Sequence, residues 1–480
     1  MLRYVYHALE SFQSVFSRHR SWLLFAAVVL SFLAAPEMFG VTSMCRFWLG
    51  DERVYHSLLH FFRSKAYRYG ELLDAWQRYV LSQAVAVELE GRCVLLGDHT
   101  HVVKDGGRMP GVVSLRETSE TQHKPSYFRG QCWGAIGLVV GSLKGCFCSP
   151  LELRIHQGFC HRSQDEPGPT RQGPSLAERV VQMALRFAVN HDCPAFLVLD
   201  AFFSTAGVFR LARSVYSSVL KQPYLMILAR AKKIYVAYFP AEPKPPGRPG
   251  PQPRYGDKVH LMACFDHRQL FHTAQCHVYG QLETVQLMSI ALLWKPLGDW
   301  LLFIFAITSR GPIVLMCSDL TLSPTAAIEL YCVRSRIEIM FSVMKNIIGA
   351  FQFHFWTKKL PRHSRRPTAN RHLKAPRPEH LSTVEACWQA YEIFVLCAAI
   401  AHGLLQLIAL RFANEVWQHH TLYLRTRSRP LPSEKTVQQV LAPLAVKQLL
   451  NLPPNSIIAK IRRYFLGTEE DEPIDDRQTA

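Results

Sequence analysis

Two short runs decide how this chain folds: Cys93-Val94-Leu95-Leu96-Gly97-Asp98 and Ala195-Phe196-Leu197-Val198-Leu199-Asp200. Each is apolar throughout, short for a helix, and closed by a carboxylate. Such runs read as buried strands, and the acid at the end of each falls at the edge of a sheet. Between them, residues 132–143 form another strand-like stretch with glycines, 161–175 a surface loop rich in Pro, Gly and charge, and 176–189 show helical spacing.

Working outward, residues 1–85 read as helical, with periodic apolar positions in 54–62 and 72–80 separated by a turn near Gly70. A helix is expected over 205–220. Residues 224–317 alternate as β-rich segments around a Pro/Gly loop at 243–256, which reads as an insertion. Residues 324–349 are the clearest helix, 357–378 a basic run punctuated by prolines, and 379–412 and 441–450 again helical. The stretch 467–480 is an acidic tail, and no internal repeat is evident.

The helix at 324–349 carries chemistry on one face. At about 100° per residue, Tyr331, Arg334, Glu338 and Lys345 fall within about 60° of arc, opposite an apolar face that includes Ile337, Met340, Phe341 and Met344. A carboxylate ringed by a guanidinium, an ammonium and a phenol can ligate a divalent metal while the cations neutralise phosphate oxygens. The same spacing also makes an i, i+4 ion pair on a solvated surface. Asp98 and Asp200 shift the balance, because three acids from distant elements that converge at a sheet edge make a two-metal site for phosphodiester chemistry.

Composition agrees with that direction. The 480 residues include 55 Lys and Arg against 37 Asp and Glu, a net charge of +18, which points to a polyanionic partner. With 49% hydrophobic and 19% charged residues, the charge sits on a packed globule rather than on a disordered tail. Basic clusters lie at Lys358, Lys359, Arg362, Arg365, Arg366, Arg371, Lys374 and Arg377, and around the Pro/Gly loop at Arg230, Lys232, Lys233, Lys244, Arg248, Arg254 and Lys258. The 13 cysteines are odd in number and scattered, as expected of reduced, buried thiols. Residues 22–35 are too short to span a bilayer, and 393–410 include His402, Gly403 and Gln406, so both read as core helices; a protein spanning the membrane at these two segments is the rival expectation.

The spacing Tyr331-x2-Arg334-x3-Glu338-x6-Lys345 matches the YREK signature, and the chain resembles the DDE transposases of bacterial insertion sequences that carry it. Gly97-Asp98-His99-Thr100, with Lys104 and Gly106, resembles their first acidic motif, and Leu197-Val198-Leu199-Asp200 with Phe202 and Phe203 the second. Gly247-Arg248-Pro249 and Tyr255-Gly256-Asp257-Lys258-Val259 resemble a recurrent stretch of their insertion. The resemblance runs over residues 20 to 410.

It implies an α/β fold: an RNase H-like catalytic core (86–222 and 318–466) interrupted by a β-rich insertion (223–317), after a helical DNA-binding domain (1–85) and before the acidic tail (467–480). By the same resemblance, Asp98, Asp200 and Glu338 are the catalytic residues and hold two Mg2+ or Mn2+ ions, while Tyr331, Arg334 and Lys345 bind DNA. The implied activity is cleavage at terminal inverted repeats and joining of 3′ ends to target DNA, by a cytoplasmic, nucleoid-associated homo-oligomer with no membrane partner. Some relatives pass through a hairpin and stack a flipped base on a tryptophan of the insertion, for which Trp294 or Trp300 could serve, although a core role for either is the favoured reading. His99 departs from the smaller residue many relatives carry, and either perturbs metal affinity or faces solvent. The alternatives are an RNase H-like nuclease and a catalytically inactive DNA-binding derivative.

Overall fold

The computed structural model describes every residue except 117–126, 144, 157–172, 219–220, 246–249, 367–375, 421–429, 455 and 469–480. Most of the expected loop at 161–175, most of the acidic tail, Gly247-Arg248-Pro249, Arg371 and Lys374 thus lie outside the described residues.

The chain opens with five helices, α1 (Leu2–Glu10), α2 (His19–Ala34), α3 (Val41–Phe47), α4 (Glu52–Phe61) and α5 (Tyr69–Ser82). There follow β1 (Glu88–Leu89), β2 (Arg92–Val103), β3 (Val113–Arg116), β4 (Tyr127–Ser142), β5 (Gly145–Ile155), α6 (Leu176–Asn190), β6 (Ala195–Leu199), α7 (Ala206–Ala212) and β7 (Leu225–Arg230). Six further strands come next: β8 (Val236–Pro240), β9 (Tyr255–His260), β10 (His272–Val278), β11 (Gln281–Trp294), β12 (Asp299–Thr308) and β13 (Gly311–Cys317). The last part is helical, with α8 (Pro324–Val333), α9 (Ser335–Val343), a π turn (Met344–Ile348), α10 (Leu381–Arg411), α11 (Ala413–His419), α12 (Glu434–Asn451) and α13 (Ile457–Leu466).

The fold is mixed α/β around one sheet of 13 strands. Its order is β3-β4-β2-β6-β7-β13-β12-β11-β8-β9, with β1 on β2, β5 on β4 and β10 on β11. The neighbours β2, β6 and β7 run parallel, and β4 and β5 run antiparallel beside β2. All five residues of β6 are buried, which is why its sequence shows no polar alternation. Helix α6 starts on a capping box between Ser175 and Glu178 and packs on one face of the sheet. Gly97 permits that approach, because a Cβ there would lie 2.7 Å from Val180 Cγ1.

Helices α9 and α10 pack against β5, with α9 also reaching β2. Helices α2, α12 and α13 pack behind, and the N-terminal helices share one hydrophobic core with the sheet and the C-terminal helices. The expected helix at 205–220 is shorter than its pattern suggested, ending at Ala212. Strand β7, placed by the expected boundary at 223 in the insertion, pairs in parallel with β6, and β8–β13 continue the same sheet from it. Pro/Gly texture marks the excursion at 243–256, but the strand pairing begins before it.

Among the described residues one helix, Pro378–Arg411, is long and apolar enough to cross a membrane by length and composition, and its most apolar window is 94% buried within the fold. Helix α2 is shorter, and Trp22 to Ala34 are all buried. Each of the 12 cysteines described is unpaired, and all are buried except Cys193 and Cys264, which are half-buried; Cys160, with His161, lies outside the described residues.

Candidate active site

The site starts from the register of two parallel strands. Leu96 faces Val198 in the β2–β6 pair, and two residues beyond each stand Asp98 and Asp200. Because side chains alternate along a strand, both carboxylates lie on the face opposite the one Gly97 presents to α6. Asp200 terminates β6 and caps the following turn, its Oδ1 accepting from the Phe202 backbone N–H at 2.7 Å.

The third acid comes through an arginine. Arg334 stands at the junction of α8 and α9, where Nη1 donates to Asp98 Oδ2 at 3.1 Å and Nη2 donates to Glu338 Oε1. Its side chain is 16% exposed, so the guanidinium is a largely desolvated bridge between two carboxylates. Burial pushes the Asp98 carboxyl up to about 6, and the nearby Asp200 and Glu338 carboxylates push the same way, against Arg334 and the His99 N–H. Glu338 is exposed.

Of the four residues expected on one helical arc, Tyr331, Arg334 and Glu338 line one cleft, and Lys345 turns to β2. The backbone stays helical through Arg334, tightening where the Arg334 N–H bonds to the Tyr331 carbonyl, and widens into a π turn at Met344–Ile348. Tyr331 is buried, and burial raises its phenol above the usual range. Lys345, on the π turn, donates to Thr100 Oγ1 at 2.6 Å and to the His101 carbonyl at 2.9 Å. It thus meets the same strand as Asp98, two and three residues further on. The apolar opposite face forms as expected, with Ile337, Met340, Phe341 and Met344 buried.

One expectation is corrected, and the core role favoured for Trp294 is observed. His99 faces neither solvent nor the carboxylates: alternation sends it to the α6 face, where its Nε2 lies 3.0 Å from His156 Nδ1 and its ring stacks on Phe203. Burial lowers His99 to about 4 and His156 to about 3, so the pair is neutral. Trp294 is a core residue, 3% exposed and packed against Phe209 and Tyr235. Trp300 lies half-buried in β12, its carbonyl accepting from Arg213.

Residues not expected complete the surroundings. A cleft of about 330 Å3 beside the arginine bridge is lined by Tyr331, Arg334 and Glu338 from the helices and by Arg230, Tyr279 and Arg310 from the sheet. Arg310 lies over the Tyr279 ring at 3.6 Å, a cation–π contact. Tyr279-Gly280 is a two-residue hairpin turn, with φ of 51° and 89°, between the alternating strands β10 and β11. That X-Gly dipeptide between alternating runs was the available signal, but nothing local says where the turn's side chain points.

Three carboxylates are hard oxygen donors suited to Mg2+ or Mn2+, and a bound dication would oppose the burial and the carboxylate repulsion that raise Asp98. The donor chemistry fits such an ion. Among the described residues no group of three His, Cys, Asp or Glu closes to metal-ligating distance, and Arg334 occupies the space between Asp98 and Glu338. No family model matches this chain, and no curated protein matches it.

Proposed function

We propose that the protein is a metal-dependent DDE transposase, cleaving DNA at the ends of a mobile element and joining the 3′ ends to a target. The observation that carries this reading is the placement of Asp98, within β2, beside Asp200, just past the end of the parallel strand β6, with Glu338 tied to Asp98 through Arg334. Support for an RNase H-like core comes from the order β5-β4-β2-β6-β7, antiparallel around β4 and parallel from β2 to β7, with helices after β5 and after β6. That is the arrangement such a core requires, with the acids on its central strands.

Asp98, Asp200 and Glu338 would hold two Mg2+ or Mn2+ ions, which when bound supply an activated water or 3′-hydroxyl and neutralise the scissile phosphate. Arg334 orients the Asp98 and Glu338 carboxylates and presents remaining guanidinium N–H groups to a phosphate oxygen. Tyr331, Arg230 and Arg310 line the adjoining cleft, where the two arginines add positive charge for an entering DNA end. Lys345 fixes the π turn to β2 and keeps an ammonium beside the acids' strand. Two DNA ends must be cut and joined together, so the working form is a homo-oligomer, acting at the nucleoid.

Purified protein incubated with the DNA flanking its own gene tests the reading. Mg2+-dependent cleavage and strand-transfer products are expected, abolished by EDTA and by Asp98→Ala, Asp200→Ala or Glu338→Ala. Retained cleavage in any of the three variants removes the three-acid site. Cleavage without joined products assigns a nuclease instead, and DNA binding without cleavage an inactive derivative.

A further inference from the structure

Between the π turn and the basic run, residues 353–358 alternate in burial like a strand: Phe353, Phe355 and Thr357 are buried, whereas His354, Trp356 and Lys358 are exposed. The inner side is held on several elements. The Phe353 ring stacks on Tyr391 of α10 with centroids 4.5 Å apart, and Tyr391 Oη donates to the Phe355 carbonyl at 2.7 Å. Lys104, at the end of the strand that carries Asp98, donates to the carbonyls of Phe351 and Phe353 at 2.6 and 2.9 Å. The Thr357 N–H donates to the Arg108 carbonyl at 3.3 Å. The strip is therefore fixed, and its outer side chains are displayed from a rigid support.

What it displays is an indole among cations. Trp356 is 52% exposed, and no hydrogen bond or ring contact engages it among the described residues. Lys358, Lys359, Arg362, Arg365 and Arg366 are exposed alongside, and Arg108 reaches the strip by donating Nη1 to the Lys358 carbonyl at 3.4 Å. Cations track a phosphate backbone, and an exposed aromatic face accepts a base only when that base is out of its duplex stack. A paired base offers its edges in a groove and hides its faces. An exposed indole in a cationic strip thus matches an unpaired strand better than a duplex.

We propose that this strip is a single-strand site, with Trp356 stacking on an unpaired base of the DNA and Lys358, Lys359 and Arg362 holding the flanking phosphates. The proposal rests on the DNA-handling reading above, and places unpaired DNA on a segment anchored through Lys104 to the strand of Asp98.

The test uses the full chain in EDTA at low salt, with fluorescence anisotropy of a labelled thymidine oligonucleotide and of a blunt duplex of equal length. Trp356→Ala is expected to weaken single-strand binding about tenfold or more, to leave duplex binding and the melting temperature unchanged, and to be largely rescued by Trp356→Phe. Wild-type binding to both DNAs with no loss in Trp356→Ala overturns the strip alone, as does an equal loss on both. Wild-type protein that binds neither DNA overturns the DNA reading with it. Trp356-dependent binding to anionic vesicles, without single-strand binding, assigns the strip to a membrane surface and overturns the proposal.

Discussion

At the scale of single residues, Asp98 is held in opposing fields. Burial and two neighbouring carboxylates favour its neutral form, and Arg334 favours the charged one, leaving the carboxyl at about 6. An unfolded Asp titrates near ~3.9, so between that value and about 6 the folded protein binds more protons than the unfolded one. The stabilisation from protonated Asp98 is therefore complete below pH ~4 and lost as pH rises through about 6. In EDTA, the stability of wild type relative to Asp98→Asn is expected to fall by on the order of 2 kcal/mol between about pH 4 and 7, measured by denaturant unfolding. A flat difference across that interval would mean the carboxyl is not destabilised. Gly97 beside it acts by size: Gly97→Ala would drive a methyl into Val180 Cγ1 at 2.7 Å. It is expected to lose about 1 to 3 kcal/mol in thermal unfolding, because α6 must lift from the strand that aims Asp98.

At the scale of elements, the helix that carries Glu338 is not wound uniformly. Helix α8 starts at Pro324, where the expected helix begins, with Ser323 as its cap. At the tightened turn around Arg334 the guanidinium reaches Asp98, and from the π turn Lys345 reaches Thr100 and His101. A uniform 100° per residue could not anticipate either change, since both are contacts with a strand over 200 residues away in the chain. Lys345→Met is expected to cost about 1 to 3 kcal/mol of stability through two lost charge-assisted bonds, and to weaken binding of DNA ends, read by melting and by anisotropy. Lys345→Arg, able to donate to the same two oxygens, is expected to restore most of the stability. If Lys345→Met melts like wild type, the π turn is held by packing alone.

At the scale of the molecule, charge and apolar surface are separated. Residues 467–480 carry six acids and one Arg, so the +18 of the whole chain becomes +23 over residues 1–466. On the DNA-handling reading, each single-strand phosphate neutralised by the basic strip releases counterions, with a slope of about −0.7 in log K against log salt. Replacing Lys358, Lys359 and Arg362 together by Gln is expected to make the single-strand slope shallower by about 2, measured by anisotropy titrations at several salt concentrations. An unchanged slope would mean that these three cations hold no phosphate. The two most apolar segments lie inside: α2 is buried from Trp22 to Ala34 and packs against α10, α12 and α13.

The sequence by itself determined that the runs closed by Asp98 and Asp200 are buried strands, because an apolar run is a local pattern; that β2 continues past Asp98 to Val103 was set by its pairing with β4. The sequence likewise determined the apolar and polar sides of the helix around Glu338, through periodicity alone. Only the tertiary structure decided that Arg334 bridges Asp98 and Glu338 across 236 positions of chain. It also decided that His99 turns to the α6 face beside His156, that Trp294 belongs to the core, and that β7 joins β6. Period reports which side of an element is apolar. Which distant side chain meets it depends on strand order and register, and those are settled only when the whole sheet and its covering helices have packed.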